Sequence, residues 1–232
     1  LGQIADLVSV ARPTVGVVTN VGPVHLELLK TMEAVTAAKR ELVEGLPAAG
    51  TAVLNADDPR VAGMASASAA EVITYGCRAA ADVRGKDIRS LGEHGVAFTL
   101  WHGGQHVEVH LPIIGRHNVY NALAAAAVGL TCGSDLESIA RGLAGFTASA
   151  MRMQLERLPT GITVLNDAYN ASPASMRAAL ETLTDLPADR RIAVLGDMLE
   201  LGHDSEAEHT AIGRLVAALP VDLLLTVGHH GG

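Results

Sequence analysis

Short apolar runs of strand type recur along the first third of the chain, each separated from the next by a segment of helical period. Residues 15–19, 51–55 and 71–75 are short and rich in β-branched side chains, and they read as buried strands. Between the first two, Leu28, Leu29, Met32, Val35, Leu42 and Val43 recur near every 3.6 positions, predicting a helix over residues 26–46 that Pro47 and Gly50 end. The Asp58-Pro59 pair predicts the start of another helix, running through Ala69. Strands that alternate with helices require crossovers, so the chain is expected to be an α/β protein with a mostly parallel sheet. A composition 49% hydrophobic and 18% charged fills such a core and excludes wholesale disorder.

Residues 82–112 change character. Residues 96–101 and 106–111 alternate apolar with polar around Gly103-Gly104, which predicts a hairpin with one wet face. An Ala-rich helix follows over residues 119–130. Ser134 with Glu137 three positions on has capping-box form and predicts another helix, ending near residues 142–145. Residues 146–150 make a natural boundary, giving a first domain of 1–148 and a second of 149–232. In the second, residues 161–165, 191–195 and 221–227 read as strands. Ser172-Pro173 caps a helix to about Leu183, and residues 206–219 form another.

Several function classes are disfavoured. Seventeen basic against 25 acidic residues give a net charge of −8, a poor match to a duplex nucleic acid, and aromatic residues at 3% are too few for base-stacking platforms. Cys77 and Cys132 have no metal-ligand spacing and make no disulfide framework, so a reducing, cytoplasmic setting is the simplest. The longest charge-free apolar stretch, residues 119–134, falls short of the ~20 residues that span a bilayer, so no membrane insertion is expected. A monomer is expected. Because the chain opens on Leu1 and stops at Gly231-Gly232 directly after an apolar run, it is expected to be a piece of a longer protein.

The polar residues at element ends are the candidates for chemistry. His25 follows a strand where the next helix begins, a position that gathers ligands in α/β sheets and equally suits a surface or capping histidine. Lys39, fourteen positions later, sits among alanines. It either snorkels to water or, if buried, becomes a neutral nucleophile able to form a Schiff base or take up carbon dioxide. Gly115 through Ala122 brings His117, Asn118 and Asn121 to the start of a helix, where free N–H groups and two amides suit an anion or a heterocycle edge; plain capping by Asn118 is the alternative. Asp167, Tyr169 and Asn170 follow a strand and precede a capped helix; they suit a ribose or a metal-bound group, or simply loop hydrogen bonds. Arg152 lies between the domains, where a guanidinium clamps phosphate on closure or rests at the surface. Asp197 lies in the turn Gly196 through Gly202, and His209 in the helix after it; together they face a substrate or only shape the turn. No G-x-x-x-x-G-K-S/T loop and no G-x-G-x-x-G after a strand occurs in the chain, which leaves a nicotinamide-binding reading without support.

Taken in order, these segments resemble the Mur ligase family. The residues that carry the resemblance are Thr19 through Glu27, Ala38-Lys39, Asn55 through Asp58, Gly115 through Ala124, Asn166 through Met176 and Leu195 through Gly202. Asp167 through Ala171 and Gly196 through Gly202 point to the branch that adds a dipeptide. The resemblance implies the later part of a central ATPase domain followed by part of a Rossmann-like C-terminal domain. It implies an ATP-dependent amide ligase in peptidoglycan precursor synthesis, joining D-alanyl-D-alanine to UDP-MurNAc-tripeptide through an acyl phosphate, with ATP and Mg2+. It also implies that His25 and a carbamylated Lys39 ligate magnesium, and that His117, Asn118 and Asn121 hold adenine. Arg152 then contacts the γ-phosphate, Asp167 and Tyr169 meet the ribose side, and Asn170 and Asp197 face the dipeptide. With the phosphate loop absent, the chain alone is expected to be inactive. The rival expectations are a diaminopimelate-adding or folylpolyglutamate-type relative, or a non-catalytic nucleotide-binding piece.

Overall fold

A computed structural model describes residues 1–23 and 26–230, with the backbone alone for Leu26. The first unit runs α1 (Gln3–Ala11), β1 (Val15–Val18), α2 (Leu26–Leu29), α3 (Met32–Glu44), β2 (Thr51–Asn55), α4 (Pro59–Ala62), β3 (Glu71–Gly76), β4 (Val83–Ser90), β5 (Val96–His102), β6 (Gln105–Leu111), α5 (His117–Thr131) and α6 (Leu136–Ala144). Its strands form one six-stranded sheet in the order β1-β2-β3-β4-β5-β6. The pairs from β1 to β4 are parallel, and those from β4 to β6 antiparallel.

Side chains alternate across a strand, and a parallel strand covered on both faces reads as a continuous apolar run. Every residue of β2 is buried. Val53 packs with α5 in one cluster, which includes Phe98, Leu123 and Ala127. Ala52 and Leu54 pack on the other face with Val35, Val43 and Met64.

The second unit runs β7 (Gln154–Arg157), β8 (Thr163–Asn166), α7 (Pro173–Asp185), β9 (Ile192–Gly196), α8 (Ser205–Ala218) and β10 (Leu223–Val227). Strands β7 and β8 form an antiparallel ribbon, and β9 and β10 a parallel pair. Met176 and Leu180 of α7 and Ile212 and Val216 of α8 cover one face of that pair through Ala193, while Val194, Leu225 and Val227 on the strands stay exposed. The two units meet through Ile114, Met153 and Leu186, an Arg157–Glu93 ion pair, and the Glu27 N–H bonded to the Glu200 carbonyl at 3.2 Å.

Four expectations need correction. The helix expected over residues 26–46 is two helices: Lys30 takes a left-handed φ of 68°, and the Thr31 hydroxyl caps α3 by accepting from the Ala34 N–H at 3.1 Å. The helix expected to reach Ala69 ends at Ala62 and tightens to a 3-10 turn over Gly63–Ala67. Helix α6 is capped not by Ser134 but by Asp135, whose carboxylate accepts from the Ser138 N–H at 2.7 Å. Strand β4, together with α1 and β7, lies where no element was expected. In β4 the exposed Lys86, Asp87 and Arg89 obscure the alternation, and a bulge between Lys86 and Arg89 breaks the register.

Candidate functional site

Two groups of polar side chains stand out. The first surrounds the loop after β1. Lys39, on α3, is half-buried and its Nζ donates to the Asn20 carbonyl at 2.6 Å. Burial pushes the amine below its ordinary value, against the opposing pull of Asp58. Asp58 begins α4, with one carboxylate oxygen accepting from the Arg60 and Val61 N–H groups at 2.9 and 3.3 Å and the other from Val21 N–H at 2.7 Å. Asn55 and Tyr75 both donate to the Thr19 carbonyl, at 2.8 and 3.4 Å. His25, expected in this group, lies outside the described residues.

The second group spans the junction of the units. Gly115 takes a φ of 92°, and a Cβ there meets the His117 ring at 2.6 Å, so only glycine lets the imidazole fold back over this turn. Burial lowers the His117 pKa, with Asp167 and Glu181 of the second unit pulling the other way, which favours the neutral imidazole. Asn118 is buried and its amide donates to the Ile114 carbonyl at 2.8 Å. Asn121 is exposed and donates to Asn118 Oδ1 at 3.0 Å. Across the junction, Asp167 accepts from the Met153 N–H at 3.0 Å. The Arg152 guanidinium stacks over the Tyr169 ring at 3.9 Å. Met151 and Met153, on either side of Arg152, hold left-handed φ values of 57° and 50°. Such backbone is costly and persists where surroundings impose it, here the Asp167 carboxylate and the Tyr169 N–H bonded to the Met151 carbonyl at 3.2 Å.

This second group suits a nucleotide. An exposed guanidinium held by an aromatic ring offers its remaining donors to phosphate, and neutral imidazole and amide groups bond a base or sugar edge. For a divalent cation, the fit among the described residues rests on Lys39. As an amine it is a donor and no ligand, and among the described residues no cluster of three His, Cys, Asp or Glu side chains is set to hold a metal. Its half-buried position does favour the neutral form, which is the form that adds carbon dioxide to become an oxygen ligand.

The remaining candidates are engaged locally. Asn170 is exposed and its side-chain oxygen accepts from the Ala171 N–H at 2.9 Å. Asp197 accepts from the His229 and His230 N–H groups at 2.7 and 3.1 Å, bonds that hold its carboxyl below the usual range. It borders a cavity of ≈ 620 Å³, shared with Met198, His209 and His230, at the carboxyl ends of β9 and β10. His209 is fixed as a single tautomer: Nδ1 donates to the Ser205 carbonyl at 2.7 Å, and Nε2 accepts from the Met198 N–H at 3.0 Å.

Sequence reasoning passed over Asn55, Asp58 and Tyr75 as holders of the β1 loop. It also passed over Asp57, whose carboxylate accepts from the Cys77, Arg78 and Ala79 N–H groups and from the Tyr120 hydroxyl. The only available signal was the Asn55 through Asp58 turn itself.

Two α/β units with a polar cluster at their junction place the chain among α/β folds whose sites lie between units, and comparison with known proteins narrows the class. Residues 1–129 match the Mur ligase middle domain, and residues 151–232 match the Mur ligase glutamate ligase domain. The chain belongs to the Mur ligase family. It is 44% identical, over 99% of its length, to the UDP-N-acetylmuramoyl-tripeptide–D-alanyl-D-alanine ligase of Mycobacterium tuberculosis, and covers 48% of that protein. The Escherichia coli protein of the same description is 38% identical over 98% of this chain, which covers 50% of it. Among solved structures, MurF from Acinetobacter baumannii superposes with a TM-score of 0.92 at 30% identity, covering 99% of this chain and 50% of that one. MurF from Thermotoga maritima in complex with ADP superposes at 0.86 and 25% identity, covering 96% and 55%. The chain spans about half the length of the curated relatives it matches.

Proposed function

We propose that this chain forms the nucleotide and acceptor half of a ligase that joins D-alanyl-D-alanine to UDP-MurNAc-tripeptide in peptidoglycan precursor synthesis, using ATP. The observation that carries the reading is the cluster of His117, Asp167, Arg152 and Tyr169 where the two units meet. Residues 1–148 act as the central ATP-binding part and 149–232 as the C-terminal part. The likeness to a relative solved with ADP supports the nucleotide, and the names of the curated relatives support the two substrates.

In this reading ATP supplies the phosphoryl group that activates the tripeptide carboxylate. His117 and Asn121 bond the base, with Asn118 holding Asn121 in place. Asp167 and Tyr169 line the ribose side, and Arg152 binds the terminal phosphate. Lys39, as its carbamate, and His25 would hold Mg2+, which neutralises phosphate charge. Asp197, from the cavity beyond β9 and β10, and Asn170, from the loop before α7, face the dipeptide. The protein's own work is positioning and charge stabilisation. It acts as a monomer in the cytoplasm, where free thiols at Cys77 and Cys132 persist. No described helix is long and apolar enough to cross a membrane.

The test is an exchange. This chain replaces the matching half of the M. tuberculosis ligase, and phosphate release is followed with ATP, UDP-MurNAc-tripeptide and D-alanyl-D-alanine. Release that depends on the dipeptide supports the reading. A soluble, folded exchange protein that binds ADP but releases no phosphate with this dipeptide refutes it.

A further inference from the structure

Three consecutive residues after β1 are each tied down by a side chain from elsewhere in the first unit, two from the turn after β2 and one from α3. The Thr19 carbonyl takes the Asn55 amide, and the Val21 N–H gives to Asp58. Between them, the Asn20 carbonyl takes the Lys39 amine. Asn55 and Asp58 each have two jobs. Asn55 Oδ1 accepts from the Asp57 N–H at 2.9 Å and closes the turn after β2, while its Nδ2 reaches the loop. Asp58 caps α4 with one oxygen and holds Val21 with the other. A turn-and-cap role needs only one half of each side chain, and the other half is spent on the loop that receives Lys39.

We infer that Asn55 and Asp58 are positioning residues of the ligase site. They hold residues 19–21 so that the Asn20 carbonyl fixes the Lys39 nitrogen in one place. The inference deepens the reading above and rests on it for its catalytic part. Its structural part stands alone: without the Asp58 anchor the loop drifts, the Asn20 carbonyl leaves Lys39, and the amine samples many positions. A lysine held by a fixed carbonyl is pre-organised, and pre-organisation is felt in turnover more than in binding of a remote substrate.

Asp58→Asn separates the two jobs. The amide keeps one oxygen for the α4 N–H groups, where Asn is as good a cap as Asp, but turns an NH2 toward the Val21 N–H. Asp58→Ser is the second variant, a good cap too short to reach Val21. The first readout uses this chain alone. The three lysines, Lys30, Lys39 and Lys86, are acetylated in a timed reaction and quantified by mass spectrometry. The expected result is Lys39 labelling several-fold faster, relative to Lys86, in both variants. The second readout uses the exchanged ligase. There kcat falls about tenfold or more, while KM for D-alanyl-D-alanine stays near its unsubstituted value and the unfolding midpoint drops only by the few degrees that one lost hydrogen bond costs.

Unchanged Lys39 labelling in both variants overturns the inference. So does faster labelling with full turnover, which makes the anchor merely structural, or a fall in kcat that Tyr120→Phe reproduces, since that variant also loses one carboxylate hydrogen bond of the first unit but keeps the loop anchors. If the unsubstituted exchange protein lacks dipeptide-dependent turnover, the ligase reading fails, and the labelling still decides whether the loop is anchored.

Discussion

Removing the Asp57 carboxylate tests how the first unit is held together. Its oxygens accept from the Cys77 N–H at 2.6 Å, the Arg78 N–H at 3.0 Å, the Ala79 N–H at 2.6 Å and the Tyr120 hydroxyl at 2.9 Å. One side chain thus joins the turn after β2, the turn after β3, and α5. Desolvation alone would raise the Asp57 pKa; the bonds from Ala79, Cys77, Arg78 and Tyr120 outweigh it and hold the carboxyl below its ordinary value. Asp57→Ala strands four donors on a partly wet turn. At about 1 kcal/mol each the loss is about 3–4 kcal/mol. For a chain of this size that is roughly 6–16 °C in Tm. Tyr120→Phe removes only one of the four and costs about 1 kcal/mol. The assay is urea unfolding followed through Trp101, the sole tryptophan, which lies on β5 of the same unit. The pH dependence has a definite sign. A depressed carboxyl pKa stabilises above the unfolded-state value near ~4, and that stabilisation is lost as pH falls through the folded-state value. The gap between the parent and Asp57→Ala therefore narrows on acidification below about pH 4. An Asp57→Ala loss no larger than that of Tyr120→Phe, or a gap that widens in acid, would refute the hub.

Three further outcomes follow from the geometry. In the exchanged ligase, Lys39→Arg keeps the charge but cannot become a carbamate, so it is expected to abolish turnover as fully as Lys39→Ala; near-full activity of the arginine variant sinks the carbamate assignment. Gly95→Ala places a Cβ 2.1 Å from the Leu111 carbonyl at a φ of 104° and should cost roughly 3 kcal/mol, whereas Gly103→Ala at the open hairpin tip costs roughly 1 kcal/mol; equal losses in urea unfolding contradict the contact. Burial pushes the Cys77 thiol up to about 11 while Cys132 is exposed, so a disulfide reagent at pH 8 should modify Cys132 first, and mass mapping that finds both at one rate speaks against the packing around Cys77.

What could be read directly in the chain is whatever the local pattern controls. Strand β2 reads as a nearly continuous apolar run because both of its faces are covered, and β6 alternates from Val107 to Leu111 because one face is wet, whereas in β5 the run Val96, Ala97 and Phe98 is buried on both faces. Ser172 with Pro173 marks the start of α7, which the structure closes with a capping box to Ser175. The break at Lys30 was not readable, because the apolar positions on either side stay in helical phase and the stop is made by the Thr31 cap. Strand β4 hid for a different reason: Arg84 and Lys86 alternate against Gly85, which has no side chain to mark the buried face, and the bulge before Arg89 then shifts the phase. At the candidate site the residue types were legible and the partnerships were not. Position at an element end singles out His117, Asp167 and Arg152. No local rule says that Asp167 holds the Met153 N–H, or that Asp57 reaches Tyr120 across 63 positions of chain.

The six-stranded sheet has a consequence for how the molecule comes into being. Its spatial order repeats its chain order, so each strand from β2 onward docks beside the one before it. Among the described strands, none has to be threaded between two already in place. During synthesis the sheet can lengthen vectorially, one strand at a time, with each loop closure confined to neighbouring segments. Helix α5 emerges only after all six strands, and it packs against β2, β3, β4 and β5 at once. One face of the sheet is covered by α3 and α4, and the other stays bare until α5 arrives, so the Tyr120–Asp57 bond cannot form before that face is closed.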